Sequence, residues 1–231
     1  MITQAEKPAA GLPPLYSAYV NRRLGYRLAK RLRYSGITPN QLTLISAVLT
    51  YGAIAGLALF EPSWPVSVSI ALALLAGYAL DSADGQLARL RARSTVAGEW
   101  FDHMVDAGKV VGVHLAVLIS WFRFAHAGEP VLLLIPIGFA AVSSVTYFGM
   151  IMADQFRLRT GGFGGAKPTP GWRRLAAAPT DYGVLCLLLA LVPAITVFTV
   201  AYALGFLVSA AFLGSCLTNW WREFSSMDVT S

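Results

Sequence analysis

Long apolar runs constrain the fold of this 231-residue chain more than any other feature. A helix needs about 20 apolar residues to cross a bilayer. Six runs are candidate spans: Leu42–Phe60, Pro65–Leu80, Val105–Phe122, Val131–Ala153, Tyr182–Pro193 and Ala194–Leu217. The second and third are long enough only if their helices continue into the polar stretch between them. The fifth is short, and Pro193 leaves open a single kinked or re-entrant element in place of the last two. The pattern predicts an all-α integral membrane protein with six transmembrane helices.

The distribution of charge supports this interpretation. Hydrophobic residues make up 56% of the chain and charged residues 13%, and the net charge is +6. The basic residues gather before the first span, between the second and third, and between the fourth and fifth: Arg22, Arg23, Arg27, Lys30, Arg31, Arg33, Arg89, Arg91, Arg93, Arg157, Arg159, Lys167, Arg173 and Arg174. By the positive-inside rule, these connections and both termini are expected in the cytoplasm, in a multi-pass protein of the plasma membrane. A nucleic-acid partner is not expected, since it would require basic residues on one soluble face.

The segment before the first span mixes basic and apolar residues. Tyr16–Tyr34 is predicted to form an amphipathic helix in the membrane interface, facing anionic lipid. The alternative is a solvated basic helix that only fixes the topology. Thr38 can cap the first span, and Pro39 suits its first turn. The expected organisation is a cytoplasmic tail with a juxtamembrane helix (1–41), a six-helix membrane domain (42–224) and a cytoplasmic tail (225–231).

Four aspartates interrupt the apolar sequence between the second and third spans. Asp81 and Asp84 are three residues apart, and Asp102 and Asp106 are four apart, so each pair projects from one face of a helix. The short connection between the two helices predicts antiparallel neighbours whose acidic faces meet. Converging carboxylates repel one another unless cations lie between them, and ligand sets made only of oxygen favour hard ions such as Mg²⁺ or Mn²⁺.

Small residues and one arginine accompany these aspartates. Gly85, Ala88 and Gly98 remove side-chain bulk, which permits close helix packing or the approach of a nucleotide. Arg89 offers a planar fork for phosphate oxygens.

The complete pattern, D-x2-D-G-x2-A-R-x8-G-x3-D-x3-D from Asp81 to Asp106, resembles the signature of the CDP-alcohol phosphotransferases. The resemblance implies two metal ions, Mg²⁺ or Mn²⁺, beside the donor's pyrophosphate, held by Asp81, Asp84, Asp102 and Asp106. It implies that Asp106 is also the general base for the acceptor hydroxyl, which attacks the β-phosphorus and releases CMP. Donor contacts are then expected from Asn40, Gln41, Leu42, Thr43, Gly85, Ala88, Arg89, Thr95 and Gly98. A homodimer is expected on the same ground.

The expected reaction is a step of phospholipid synthesis, with CDP-diacylglycerol as donor and a small polar alcohol or polyol phosphate as acceptor. Reversed roles stay open, with a soluble CDP-alcohol as donor and a lipid or polyol phosphate as acceptor. Lys109, Arg157 and Arg159 are candidates for binding an anionic acceptor. Relatives that use inositol phosphate commonly carry arginine directly after the last aspartate, where this chain has Ala107. Glycerol phosphate, another polyol phosphate or a neutral amino alcohol are therefore also expected acceptors.

A transporter or channel for divalent cations is the alternative of another class. It would explain carboxylates at membrane depth, but it gives no reason for Gly85, Arg89 and Gly98. It also predicts acidic residues spread through the membrane, whereas here they cluster at one boundary. His114, deeper in the third span, is interpreted as a packing residue.

Overall fold

The computed structural model describes residues 15–125, 128–159 and 180–226, and within these ranges the chain is helical and has no strand. A short π-helix, Ser17–Asn21, leads into seven α-helices: α1 Arg22–Leu32, α2 Pro39–Leu59, α3 Trp64–Leu90, α4 Val96–Phe124, α5 Pro130–Arg159, α6 Tyr182–Leu189 and α7 Ile195–Phe224. The start of the predicted N-terminal tail, the end of the C-terminal tail, and Lys167, Arg173 and Arg174 lie outside the described residues.

Five of these helices, α2, α3, α4, α5 and α7, are long and apolar enough to cross a bilayer. The second and third predicted spans do continue into the polar stretch, because α3 reaches 27 residues and α4 reaches 29. Large apolar side chains on their outer faces, such as Leu72, Ile119 and Leu207, are exposed. Such surfaces suit contact with lipid.

The predicted fifth span is not confirmed in the described part of the chain. α6 has only eight residues, or about 12 Å at the rise of an α-helix, against the roughly 30 Å of a bilayer core. A run of turns then separates α6 from α7, with Ala190 N–H bonded to the Leu187 carbonyl and Leu191 N–H to the Leu188 carbonyl. Pro193, which has no N–H, lies in this break.

α1 forms inside the predicted amphipathic segment and packs along α3. Gly25 and Ala29 are its buried residues, whereas its arginines and Lys30 are exposed. A Cβ atom at Gly25 would lie 2.6 Å from Ser82 Oγ, so glycine is required for this close approach. The position of α1 in the membrane interface stays a prediction.

α2 begins where the sequence predicted. Thr38 is its N-cap: the Gln41 N–H donates to Thr38 Oγ1 at 3.2 Å, and the Thr38 N–H donates to Gln41 Oε1 at 2.9 Å. These reciprocal bonds form a capping box, with Pro39 in the first turn. Below the cap, Leu42 packs in a small core with residues of α1 and α3, namely Ala29, Ala83 and Leu87. The start of α2 is thereby fixed beside the end of α3.

α3 and α4 each pack along α2. The short connection between α3 and α4 predicts that these two helices pack directly on each other. In the described chain they pack mainly on α2 instead. The main core surrounds Trp121 of α4 and Tyr202 of α7. The connection itself begins with a Schellman-type turn, in which the Arg93 N–H bonds the Ala88 carbonyl at 3.0 Å and Ala92 has a φ of 50°.

Candidate functional site

The structure brings three of the four aspartates together across the gap between α3 and α4. One carboxylate oxygen from each of Asp81, Asp102 and Asp106 lies within 4.8 Å of the other two. Asp81 lies in the second half of α3, whereas Asp102 and Asp106 lie in the first half of α4. The side chains meet although the backbones of both helices pack on α2.

The fourth aspartate, Asp84, is buried beside this group. Its Oδ2 accepts a hydrogen bond from Thr43 Oγ1 at 2.5 Å, and it is not one of the three residues whose oxygens converge. Thr43 lies in the second turn of α2, 41 residues away. In this structure Thr43 orients Asp84, and its predicted contact with the donor stays a prediction.

Lys109 lies within the acidic group. Its ammonium forms ion pairs with Asp81 and with Asp106, the latter at 2.8 Å, and its side chain is only 6% exposed. Lys109 is predicted from the sequence to bind the acceptor, and its place among the aspartates was not predicted. Its spacing of three residues from Asp106 puts both on one helical face, which is the signal that could have located it.

The residues present fit a hard divalent cation. The three converging carboxylates share one ammonium, that of Lys109, so negative charge is in excess among them, which is costly away from bulk water. Asp102 Oδ1 is buried and has no hydrogen-bond partner among the described residues. Three carboxylates that converge, one of them with an unpartnered oxygen, form a ligand set of the kind that Mg²⁺ and Mn²⁺ prefer.

Gly85 and Arg89 leave an open surface next to Asp84. A Cβ atom at Gly85 would have only the Arg89 guanidinium within 4 Å among the described atoms, at 3.5 Å from Nη1. Protein packing therefore does not require glycine here, in contrast to Gly25. Arg89 is itself exposed, and Ala88 is half-buried on the same helix. The arrangement suits the approach of a phosphate-bearing ligand to the backbone.

The first turn of α2 lies against the start of α4. Thr95 is the N-cap of α4 and accepts a hydrogen bond from the Gly98 N–H at 3.0 Å. A Cβ atom at Gly98 would lie 3.0 Å from Asn40 Oδ1, so Gly98 allows this approach. Among the other predicted donor contacts, the Gln41 side chain is used in the capping box, and Leu42 is buried in the small core.

Two tyrosines that the sequence analysis missed hold α4 from opposite neighbours. Tyr51 of α2 donates to the Val105 carbonyl at 2.8 Å, and Tyr147 of α5 donates to the His103 carbonyl at 3.0 Å. A side chain at Gly108 would collide with the Tyr51 hydroxyl. Both bonds meet α4 in the turn that carries Asp102 and Asp106, but nothing in the local sequence of either tyrosine indicates it.

The two predicted acceptor arginines lie near the end of α5. Arg157 forms a bidentate pair with Glu223 of α7, with both distances 2.7 Å, and a further contact with Asp154 at 3.0 Å. Arg159 is exposed. Arg157 therefore joins α5 to α7, and acceptor binding by either residue stays a prediction.

A groove of about 180 Å³ begins one helical turn beyond Asp106. It is lined by Val110 and His114 of α4, Ser143 and Tyr147 of α5, and Ser209 of α7, together with residues of α6. The groove is predominantly apolar with hydroxyl groups at intervals, a lining that suits part of a lipid or an alcohol.

Comparisons with known proteins agree with this geometry. Residues 36–215 match the family described as CDP-alcohol phosphatidyltransferase. The chain is also 33% identical over 99 residues to an archaetidylinositol phosphate synthase of Pyrococcus horikoshii. That alignment covers 41% of this chain and 50% of the relative, so the chain spans about half the length of that protein.

Proposed function

Since this chain belongs to the CDP-alcohol phosphatidyltransferase family, we propose that it transfers a phosphatidyl group from CDP-diacylglycerol to the hydroxyl of a small polar alcohol or polyol phosphate and releases CMP. The observation that supports this most is the converging set of oxygens from Asp81, Asp102 and Asp106. Gly85 and Arg89 beside it provide a place for the nucleotide. The active site and both termini face the cytoplasm in this proposal, and the enzyme is a homodimer of the plasma membrane.

The four aspartates, Asp81, Asp84, Asp102 and Asp106, would hold two Mg²⁺ or Mn²⁺ ions. Bound there, such ions supply positive charge to the oxygens of the donor's diphosphate. The Arg89 guanidinium binds further phosphate oxygens, and the open backbone at Gly85 lets the nucleotide approach α3. Asn40 and Thr43 cover the nucleotide from α2.

Asp106 serves as the general base. Its side chain is 28% exposed, more than that of Asp81, so an acceptor hydroxyl can reach it. The hydroxyl gives its proton to the Asp106 carboxylate while its oxygen bonds to the β-phosphorus. The bond from that phosphorus to the oxygen of CMP breaks, and CMP leaves with the electron pair. The products are the new phosphodiester lipid and CMP.

The acceptor is the less determined half of the reaction. The name of the Pyrococcus horikoshii relative favours an inositol phosphate, whereas Ala107 after Asp106 departs from the arginine common in users of that acceptor. Glycerol phosphate and neutral amino alcohols therefore belong in any test. The groove beside Val110 supports a lipid chain or the body of the acceptor next to Asp106.

The test is CMP release by the purified protein in lipid nanodiscs. CDP-diacylglycerol is supplied with Mg²⁺ or Mn²⁺ and, one at a time, inositol phosphate, glycerol phosphate, serine and inositol. We expect CMP release with one acceptor, and none after chelation of the metal. A parallel panel supplies soluble CDP-alcohols with diacylglycerol. Release in that panel alone would reverse the roles of donor and acceptor, and no release in either would overturn the proposed activity.

A further inference from the structure

Arg91, two residues after Arg89, holds the chain that connects α1 to α2. Its Nε donates to the Arg33 carbonyl at 3.0 Å, and its Nη1 donates to the Ile37 carbonyl at 2.6 Å. Its Nη2 donates to two more carbonyls, those of Leu32 at 2.5 Å and Ser35 at 2.8 Å. Every nitrogen of the guanidinium is used, and all four acceptors are backbone oxygens 54 to 59 residues away.

These carbonyls lie where the regular hydrogen bonding of α1 stops. Leu32 ends α1 and Arg33 is its C-cap, and the last carbonyls of a helix have no N–H partner inside it. The Leu32 carbonyl also accepts hydrogen bonds from the N–H and the hydroxyl of Ser35. The connection from Arg33 to Ile37 has turns and no regular secondary structure. A guanidinium presents its donors in a rigid plane and keeps its charge, so it can gather several carbonyls that an ammonium could not bind together. One side chain thus determines the path of this connection.

The connection leads directly into the part of α2 that lies over the candidate site. Ile37, whose carbonyl Arg91 binds, precedes the N-cap Thr38. Thr43, one turn further, bonds Asp84, and Asn40 lies against Gly98. Arg91 is itself the residue that ends α3. It therefore fixes the start of α2 relative to the part of α3 that carries Asp84, Gly85 and Arg89.

We infer that Arg91 is a positioning residue for the CDP-linked donor: by binding the α1–α2 connection, it holds the first turns of α2 at the distance from α3 that the nucleotide requires. The inference rests on the proposed function. The hydrogen bonds of Arg91 go to the α1–α2 connection and not to the aspartates. Replacing Arg91 should therefore weaken nucleotide binding and leave metal binding intact.

The chain offers a matched control. Arg93 lies in the same connection between α3 and α4, carries the same charge and is exposed. R91Q and R93Q therefore make the same change in net charge. R91K keeps the charge but loses the fork, and it serves as the milder variant if R91Q folds poorly.

Three measurements test the inference in nanodiscs: the affinity for CMP in the presence of Mn²⁺, the affinity for Mn²⁺ alone, and amide hydrogen exchange in residues 38–43. We expect R91Q to weaken CMP binding by about tenfold, consistent with the loss of several charge-assisted hydrogen bonds. Exchange in residues 38–43 should become faster, while Mn²⁺ affinity stays within about twofold, since no metal ligand is altered. R91K should fall between the wild type and R91Q, and R93Q should match the wild type.

The KM for CDP-diacylglycerol should rise in R91Q with little change in kcat, because the lost interaction positions the donor and takes no part in the reaction itself. Equal CMP affinities in R91Q, R91K and R93Q would overturn the inference, as would an equal loss of Mn²⁺ binding. Failure of the proposed function has a different signature: the wild type itself would bind no CMP, and donor positioning by Arg91 would be overturned with it.

Discussion

Two polar clusters lie along α4, about two turns apart, and they differ in how completely their hydrogen bonds are formed. In the deeper cluster, His114 Nδ1 is 2.6 Å from the Tyr202 hydroxyl and Nε2 is 3.1 Å from Ser143 Oγ. Its ring also stacks on Phe139 at 4.1 Å between centroids. In the acidic cluster, Asp102 Oδ1 has no partner in the described chain, and Asp81 and Asp106 share the single ammonium of Lys109.

The difference separates packing from function. A buried polar group is stable when its hydrogen bonds are made within the protein, as they are at both nitrogens of His114. A cluster that keeps an unpartnered oxygen and excess charge is unfavourable on its own, and its cost is offset when a ligand binds. Burial of polar residues alone would therefore not identify the site in this protein. The unmatched charge does.

The comparison predicts its largest effect for Asp106→Asn. The amide is nearly the same size as the carboxylate but cannot accept the proton of the acceptor hydroxyl. Turnover should fall by about 10³ or more, combining loss of the base with weaker metal binding. CMP release measures turnover, and CMP affinity should change much less. Turnover close to that of the wild type would remove Asp106 from the role of base.

Lys109→Met tests the charge balance of the acidic cluster. Removing the ammonium leaves Asp81 and Asp106 without their counter-ion, and losing one partner of a buried pair typically costs about 3 kcal/mol or more. The apparent Tm without divalent metal should fall, and Mn²⁺ should recover most of the loss because added cations replace the ammonium.

Lys109→Arg is the control for this experiment, since it keeps the positive charge. An unchanged Tm for Lys109→Met in metal-free buffer would mean that the carboxylates are balanced in another way. The excess of negative charge would then no longer distinguish this cluster from that of His114.

Mn²⁺ itself should stabilise the wild-type protein. A ligand at about 100 times its Kd stabilises the folded state by about 2.7 kcal/mol, which corresponds to roughly 5–11 °C in a domain of this size. Thermal unfolding in nanodiscs with and without Mn²⁺ gives the shift. Asp102→Asn should reduce it strongly, since Asp102 provides the unpartnered oxygen. An equal shift in Asp102→Asn would place the ion elsewhere.

Local sequence signals predicted much of this architecture. The apolar runs predicted α2, α3, α4, α5 and α7. The Thr38 cap was predicted from one threonine followed by proline. Both signals depend only on residues that are neighbours in the sequence. The spacing of Asp102 and Asp106 predicted their shared helical face for the same reason. Such features depend on helix geometry, which the sequence displays directly.

Contacts between distant segments could not be predicted in the same way. Thr43 reaches Asp84, Arg91 reaches four carbonyls of the α1–α2 connection, and Arg157 reaches Glu223 across 66 residues. Each depends on how the helices pack, and α2 packs against both α3 and α4 although the connections alone made α3 and α4 the expected neighbours. The length of α6 was not predicted either: the fifth apolar run begins at Tyr182, as α6 does, but it continues to Pro193, whereas α6 ends at Leu189.

The smallest effect is predicted for the deeper cluster around His114. Tyr202→Phe keeps the ring among Trp121, Phe139 and Phe198 but removes the hydroxyl that partners His114 Nδ1. Losing one buried hydrogen bond should lower stability by about 1–2 kcal/mol, a shift of a few degrees in the apparent Tm. Turnover and the Mn²⁺ shift should stay within about twofold of the wild type, because additivity holds between sites that share no partner.

A tenfold loss of CMP release in a folded Tyr202→Phe protein would show that the His114 cluster takes part in the reaction. A cluster with complete hydrogen bonds could then not be assigned to packing alone. The groove that His114 lines would be the connection between the His114 cluster and Asp106.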